Sequence, residues 1–354
     1  MRQSGSVASL LIPIGILGAG SALILSSISL NLFWSQLLWY AIGIGIFFAL
    51  PRFDWRSFVN YPWAIFGMYG VAVLSLVLTR LFAPSIRGAE SWLVIGPVQI
   101  QTAEFAKAAL ILVFASFFAK QHARIAWVRT ILSSFALFAI PFFLIMLQPD
   151  LGSALVFFGI WLGFLAVSGI RLRHLLAIAA ICTVAGAVGW QYGLEQYQKE
   201  RIIGFVFPER DQLGINYNVT QSKIAIGSAG LFGKGYGRGT QVQLGFLPEV
   251  SADFTLAGLV EEWGLVAGLA VLGAMTALIV NILSIGSAAR NNFDKFFCLG
   301  TAILLVVHVF MNAGSVMGLT PVIGVPFPFL SYGGSNTLTV FFLVGMIYAI
   351  KRHS

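Results

Sequence analysis

Long apolar runs, each broken by a short polar or basic stretch, follow one another along nearly the whole chain. A helix needs about 20 residues to cross the hydrocarbon core of a bilayer. Ten runs come near that length, at about 8–28, 32–50, 62–83, 102–119, 131–148, 151–169, 173–191, 254–280, 296–318 and 331–350. The fifth and sixth are separated only by Gln148-Pro149-Asp150, and the ninth could end several residues earlier. The first run follows a basic start, as a signal peptide does. Its apolar part is longer than a usual h-region, no clean small-x-small cleavage site follows and more runs come directly after, so it reads as a retained helix. The pattern predicts an all-α polytopic membrane protein of about ten transmembrane helices. Residues 1–354 form one integral-membrane domain, with a large external loop at 192–252 between the seventh and eighth helices.

Three polar interruptions differ from ordinary turns. The stretch 192–252 is rich in Gly, Tyr and charge and ends in FLPEVSADF (246–254), directly before an apolar run. Asp253 therefore falls where this loop meets the bilayer, a costly place for a carboxylate unless it is paired, hydrated or used. Within the loop, IAIGSAGLFGKGYGRG is dense in glycine, which permits close backbone approach to a ligand. It lacks the lysine-serine spacing and strand–helix context of a nucleotide-binding loop. Arg201, Lys223, Lys234 and Arg238 supply cations around it, each equally compatible with a solvated loop face. The second stretch, 84–101, is too polar to span and too apolar for a free loop. Trp92 to Ile95 suggest a helix at the interface or a segment tucked into the protein mouth. The third, PVIGVPFPFLSYGGSN at 321–336, has three prolines and three glycines, which forbid a regular helix. Irregular backbone at membrane depth is tolerated where protein buries it or a cavity contacts it.

Composition agrees: of 354 residues 58% are hydrophobic and 10% charged, against about 25% charged in soluble proteins. The net charge of +8 comes from short basic clusters between the apolar runs, which points to anionic lipid and not to nucleic acid. Arg2, Arg52 and Arg56, Lys120, Arg124 and Arg129, Arg171 and Arg173, Arg290 and Lys295, and Lys351 and Arg352 all fall on one side of the alternating runs. The positive-inside rule places that side, and both termini, in the cytoplasm. Cys182 and Cys298 sit in apolar runs and read as small buried hydrophobes, not as a disulfide or a metal site.

Charge inside the apolar runs is sparse. Glu104 and Lys107, three residues apart, share a helix face. Asp150 begins the sixth helix, where the dipole favours a carboxylate, and could also pair with Lys107. Glu261, eight residues after Asp253, roughly shares its face, and Glu262 is rotated off it. Each of these has a plain reading as a bundle salt bridge.

The ordered set of motifs is more specific. It comprises RG-x(3)-W-x(3)-G-x(7)-E-x-x-K from Arg87 to Lys107, QPDLGS at 148–153 and NYNVTQSKIAIGSAGLFGKGYGRGTQ at 216–241. FLPEVSADF with EEWG at 261–264 and GLTPVIGVPFPFLSYGGSN at 318–336 complete it. With these the chain resembles, over nearly its whole length, the SEDS family of bacterial cell-wall polymerases (shape, elongation, division and sporulation). The GTQ and FLPE wording is more similar to the elongation branch than to the division branch. The sequence departs from the family at Gln101-Thr102-Ala103-Glu104, where Gln-Pro-Ser-Glu is usual. At Ser251-Ala252-Asp253-Phe254, His-Thr-Asp-Phe is common, so no imidazole stands beside the aspartate. Phe327 and Asn336 replace Leu and a small hydroxyl residue.

The resemblance implies a peptidoglycan glycosyltransferase that polymerises lipid II outside the plasma membrane and releases undecaprenyl diphosphate. Asp253 matches the family's catalytic aspartate. Arg201, Lys223, Lys234 and Arg238 are the candidates for the diphosphate, and Glu104, Lys107, Asp150 and Glu261 for support of the cavity wall. A divalent cation, Mg or Mn, could bind together with the substrate diphosphate; no organic cofactor is expected. Implied partners are lipid II, the growing glycan strand, membrane lipids and a class B penicillin-binding protein (a transpeptidase), with no nucleic acid. Two other readings stay open: a lipid II flippase, which would need polar groups along its whole path, and a non-catalytic scaffold for the transpeptidase.

Overall fold

A computed structural model describes residues 7–53, 61–84, 90–96, 98–121, 127–207, 214 and 216–353. Arg2, Arg56, Arg87 and Arg124 of the sequence reading lie outside the described residues. Each of the ten apolar runs forms a helix. These are α1 (Ala8–Ile28), α2 (Leu30–Ala49), α3 (Pro62–Phe82), α4 (Thr102–Gln121), α5 (Val128–Met146), α6 (Leu151–Val167), α7 (Leu172–Tyr192), α11 (Thr255–Ala288), α12 (Asn292–Met317) and α13 (Gly334–His353). Between α7 and α11 lie three short helices, α8 (Gln196–Val206), α9 (Tyr217–Ser228) and α10 (Thr240–Gln243). Among the described residues nine helices are long and apolar enough to cross a membrane, while α6, at 17 residues, is shorter. The chain is a multi-spanning, all-α membrane protein.

Local chemistry sets the helix ends. Extended Ser29 (φ −161°) separates α1 from α2. Asp150 caps α6 by accepting the Ser153 N–H at 2.9 Å. Gly318, left-handed at φ 73°, ends α12, and Leu319 N–H closes on Gly314 O at 2.7 Å. The ninth helix thus runs to Met317 without stopping early.

In the bundle, α4 is the most deeply buried span: 83% of its apolar window is covered. It lies against α3, α12 and α13, while α1 and α12 pack on α11, and α2 packs on α13. Because the helices alternate in direction, the starts of α4, α6, α11 and α13 and the ends of α3, α5, α7 and α12 share one end of the bundle. All three unusual polar stretches are therefore brought to that end.

Two stretches differ from the sequence expectation. The region around Trp92 is a β-hairpin, not a helix: β1 (Trp92–Ile95) pairs antiparallel with β2 (Val98–Gln101), Trp92 opposite Gln101. The alternation of apolar and polar positions in VQIQ is a strand period, and Gly96 takes the positive φ of the turn (60°). The hairpin is tied down by Glu90 N–H to Gln148 O at 3.2 Å and Gln101 N–H to Ser335 Oγ at 3.1 Å.

The eighth run is also not one regular helix, because α11 breaks at Gly264 (φ 80°, ψ 176°). The glycine-rich loop fills the break and satisfies the backbone groups it frees. Lys234 and Gly235 N–H donate to Glu261 O and Glu262 O, each at 2.9 Å. Leu265 and Val266 N–H donate to Gly230 O and Leu231 O at 3.1 and 3.2 Å. A Cβ on Gly264 would overlap the Leu231 carbonyl, and one on Gly233 (φ 80°) the Glu262 carbonyl. Gly264→Ala is therefore expected to lower stability by at least about 1–3 kcal/mol, read as a lower melting temperature of the purified protein. Gly273→Ala, on the same helix with no atom within 4 Å of the new methyl, should not; equal losses at both positions would contradict this account of the break.

Candidate active site

Asp253 stands just before α11, on a turn built by Glu249. Glu249 is left-handed (φ 57°), and its carbonyl gathers the N–H groups of Ala252, Asp253 and Phe254 at 3.1, 3.1 and 3.3 Å. Opposite lies the irregular 319–333 stretch. Tyr332 N–H donates to Ser251 O at 2.8 Å, and Ser331 Oγ–H donates to Ala252 O at 2.5 Å while accepting Phe327 N–H at 3.0 Å. Asn312 of α12 donates through Nδ2 to both Asp253 O (3.0 Å) and Val325 O (2.9 Å). Phe329, fully buried, holds a left-handed φ of 62°. The two segments the sequence singled out thus form one hydrogen-bonded piece around a half-buried carboxylate. Gly324 (φ 76°) faces it: a Cβ there would lie 3.9 Å from Asp253 Oδ2. Non-glycine residues in left-handed backbone are held against strain by their surroundings, and such positions cluster at functional sites.

Beneath this piece lies a buried polar cluster. Lys107 Nζ donates to Glu104 Oε1 at 2.6 Å, and both side chains are 2% exposed. Asn336 Nδ2 donates to Glu104 Oε2 at 3.0 Å. His308 sits with Nε2 3.3 Å from Lys107 Nζ and Nδ1 3.2 Å from Pro326 O. The partner of Lys107 is Glu104, one turn away, and not Asp150. The Asp150 carboxylate is taken up by Ser153 and by Gln101 Nε2 at 3.2 Å.

The four candidate cations separate. Arg201 of α8 and Lys223 of α9 line one pocket with Asn216, Thr220, Thr320 and Val322, two residues from Gly324. Lys223 forms no hydrogen bond or ion pair with another described residue. Lys234 is held by Glu261 Oε1 at 2.7 Å and by Thr240 Oγ1 at 2.9 Å. Arg238 is exposed on the glycine-rich loop. Glu261 also accepts Gln241 and Val242 N–H at 3.0 and 3.1 Å, so it fastens that loop. It does not share a helix face with Asp253, which precedes the helix. Glu262 binds Ser27 Oγ at 2.5 Å and Gln243 Nε2 at 3.0 Å, tying the loop to the end of α1. No group of three or more His, Cys, Asp or Glu able to hold a metal ion occurs among the described residues.

The sequence reading missed His308, Asn312 and the contact at Gly324. A signal existed: His308, Asn312 and Ser315 recur at spacings of four and three in an otherwise apolar helix, one polar stripe on one face.

The geometry is that of a multi-span membrane protein with a carboxylate and a cationic pocket at one end of its bundle. Residues 5–354 match the model of the FtsW/RodA/SpoVE family, described as cell cycle proteins. The chain is 36% identical over 314 residues to the peptidoglycan glycosyltransferase MrdB of Escherichia coli (strain K12), covering 88% of this chain and 84% of that one. It is 31% identical over 324 residues to stage V sporulation protein E of Bacillus subtilis (strain 168), covering 90% and 86%. Among solved structures it superposes with a TM-score of 0.83 and 26% identity on a chain of a peptidoglycan synthase complex that coordinates polymerization and crosslinking, over 99% of this chain and 98% of that one. The rod shape determining protein RodA of Thermus thermophilus matches with a TM-score of 0.72 and 25% identity, over the same 99% and 98%. The chain belongs to this family, the SEDS peptidoglycan glycosyltransferases, on its RodA-like side.

Proposed function

We propose that this protein is a peptidoglycan glycosyltransferase that polymerises lipid II during cell elongation. The observation that carries the reading is half-buried Asp253, whose main chain is held between two irregular segments, one of which continues through Val322 and Pro321 into the wall of the Arg201–Lys223 pocket. In this reading residues 1–354 are one integral-membrane unit of the bacterial plasma membrane, with ten spans and both termini cytoplasmic. The loop 192–252 and the site face outward. Polyprenyl tails stay on the lipid side and sugars on the loop side, so neither substrate need be extracted.

Asp253 accepts the proton of the acceptor GlcNAc 4-hydroxyl as its oxygen bonds to MurNAc C1 of the donor chain. The C1–oxygen bond to undecaprenyl diphosphate breaks, the diphosphate leaves with the electron pair, and the anomeric centre inverts. Arg201 and Lys223 are the pair best placed to meet the diphosphate, with the Thr220 and Thr320 hydroxyls beside them. Lys234, already neutralised by Glu261, serves the loop instead. A single carboxylate such as that of Asp253 fits a divalent cation, Mg or Mn, only if phosphate oxygens complete its shell; the cation would add charge neutralisation at the leaving group. Likeness to a chain of a synthase complex that coordinates polymerization and crosslinking supports a class B penicillin-binding protein as partner.

Formation of glycan from labelled lipid II by the purified protein with that partner tests the reading. Polymer supports it. An intact complex that makes none, beside an active control polymerase, would move the assignment to transport or scaffolding. Lys223→Ala is expected to raise KM for lipid II roughly tenfold, the worth of one charge-assisted contact, with kcat nearly kept. A native KM would remove Lys223 from the substrate site.

A further inference from the structure

The stretch from Pro321 to Phe329 cannot hold itself in place. Its prolines have no N–H, and among the described residues no backbone hydrogen bond joins residues 321–326 to one another. Buried carbonyls there need donors from outside. Val325 O receives Asn312 Nδ2, and Pro326 O faces His308 Nδ1. Both donors come from the polar stripe of α12, one turn apart. The roles of the two ring nitrogens follow from the partners. The Lys107 ammonium can only donate, so His308 Nε2 at 3.3 Å accepts. The ring proton is then on Nδ1 and is given to Pro326 O at 3.2 Å. The orientation of Asn312 is fixed the same way: turning its amide would set its oxygen against two carbonyls. Its Oδ1 is left buried without a hydrogen-bond partner among the described residues, a cost accepted to keep both Nδ2 bonds.

We infer that His308 and Asn312 are positioning residues for Asp253. They hold the Gly324–Pro326 backbone at a fixed distance from the carboxylate, with the buried Glu104–Lys107 pair orienting the imidazole. Asn312 joins the two sides directly, since one amide group binds the carbonyls of both Asp253 and Val325. Gly324, whose open face looks at Asp253 Oδ2, is the residue next to Val325. Displacing Val325 and Pro326 changes the space in which the acceptor hydroxyl meets the carboxylate, and neither residue lines the Arg201–Lys223 pocket, which this stretch meets at Pro321 and Val322. The effect therefore falls on kcat and not on KM. This inference rests on the reading of Asp253 as the reacting carboxylate.

Two conservative replacements separate positioning from mere support of Lys107. Asparagine places its amide where His308 has Nδ1, so His308→Asn keeps a donor for Pro326 O and drops the group facing Lys107. Glutamine places its amide near the Nε2 position, so His308→Gln does the reverse. Lipid II polymerisation by the purified protein with its class B partner gives kcat and KM for each, alongside melting temperatures. The expected result is near-native kcat for His308→Asn and a loss of roughly tenfold to a hundredfold for His308→Gln, with KM unchanged in both. The opposite order, equal activity in both, or equal loss in both would overturn the inference. If His308→Gln fails to fold, Asn312→Ser decides, because its hydroxyl is too short to reach both carbonyls. Lower kcat at native KM supports the positioning role, and native kcat overturns it. An inactive native complex would instead bring down the polymerase reading and this inference with it.

Discussion

Lys107→Met is expected to destabilise the protein by about 3–5 kcal/mol, the typical result of removing one partner of a buried ion pair. The Lys107 ammonium and the Glu104 carboxylate are each 2% exposed and 2.6 Å apart. Without the ammonium, Glu104 keeps, among the described residues, only the Asn336 amide as a hydrogen-bond partner, 3.0 Å from its second oxygen. Methionine fills the volume of the lysine stem, so the loss isolates the charge and not a cavity. The double variant Glu104→Gln/Lys107→Met removes both charges and keeps an acceptor for Asn336; it should regain most of the lost stability. Thermal unfolding of the purified proteins checks this. Equal destabilisation of the single and the double variant would show that the site depends on lysine packing and not on charge pairing.

Asp253→Asn should lower kcat for glycan synthesis by about 10²–10⁴-fold, the usual contribution of a positioned general base, while KM for lipid II stays near native. The carboxamide has the same shape but cannot take the proton of an attacking hydroxyl. The bonds accepted by Glu249 O, Ser251 O and Asp253 O, which frame this turn, do not use the carboxylate, and melting temperatures of the two proteins, measured alongside, separate loss of chemistry from loss of fold. A kcat unchanged by this substitution would remove Asp253 from the chemistry. A raised KM with native kcat would make it a binding group.

The helices were legible because crossing a bilayer imposes length and hydropathy, and each run became a helix with ends within a few residues, except that α11 continues to Ala288 where the sequence reading ended it near 280. The Gly264 break was not, because EEWGLVAGL reads as continuous apolar helix. Only the docking of Leu231 and Gly233 onto it explains a positive φ there. The hairpin at Trp92 was misread because its polar flanks resemble an interfacial helix; the period of two in Val98 to Gln101 was the better guide. At the site, the sequence could bring Asp253 and 321–336 to one end of the bundle, since topology does that. It could not pair Lys107 with Glu104 over Asp150, nor divide four cations between a pocket and a loop. Those choices depend on side-chain reach between elements far apart in sequence, as with Lys234 and Glu261.

The most direct test of the central claim is glycan-chain formation from labelled lipid II, with native protein and Asp253→Asn compared at matched amounts and folding, each with the class B partner. The account predicts long glycan from the native protein and almost none from the variant. Equal polymer from both would contradict it.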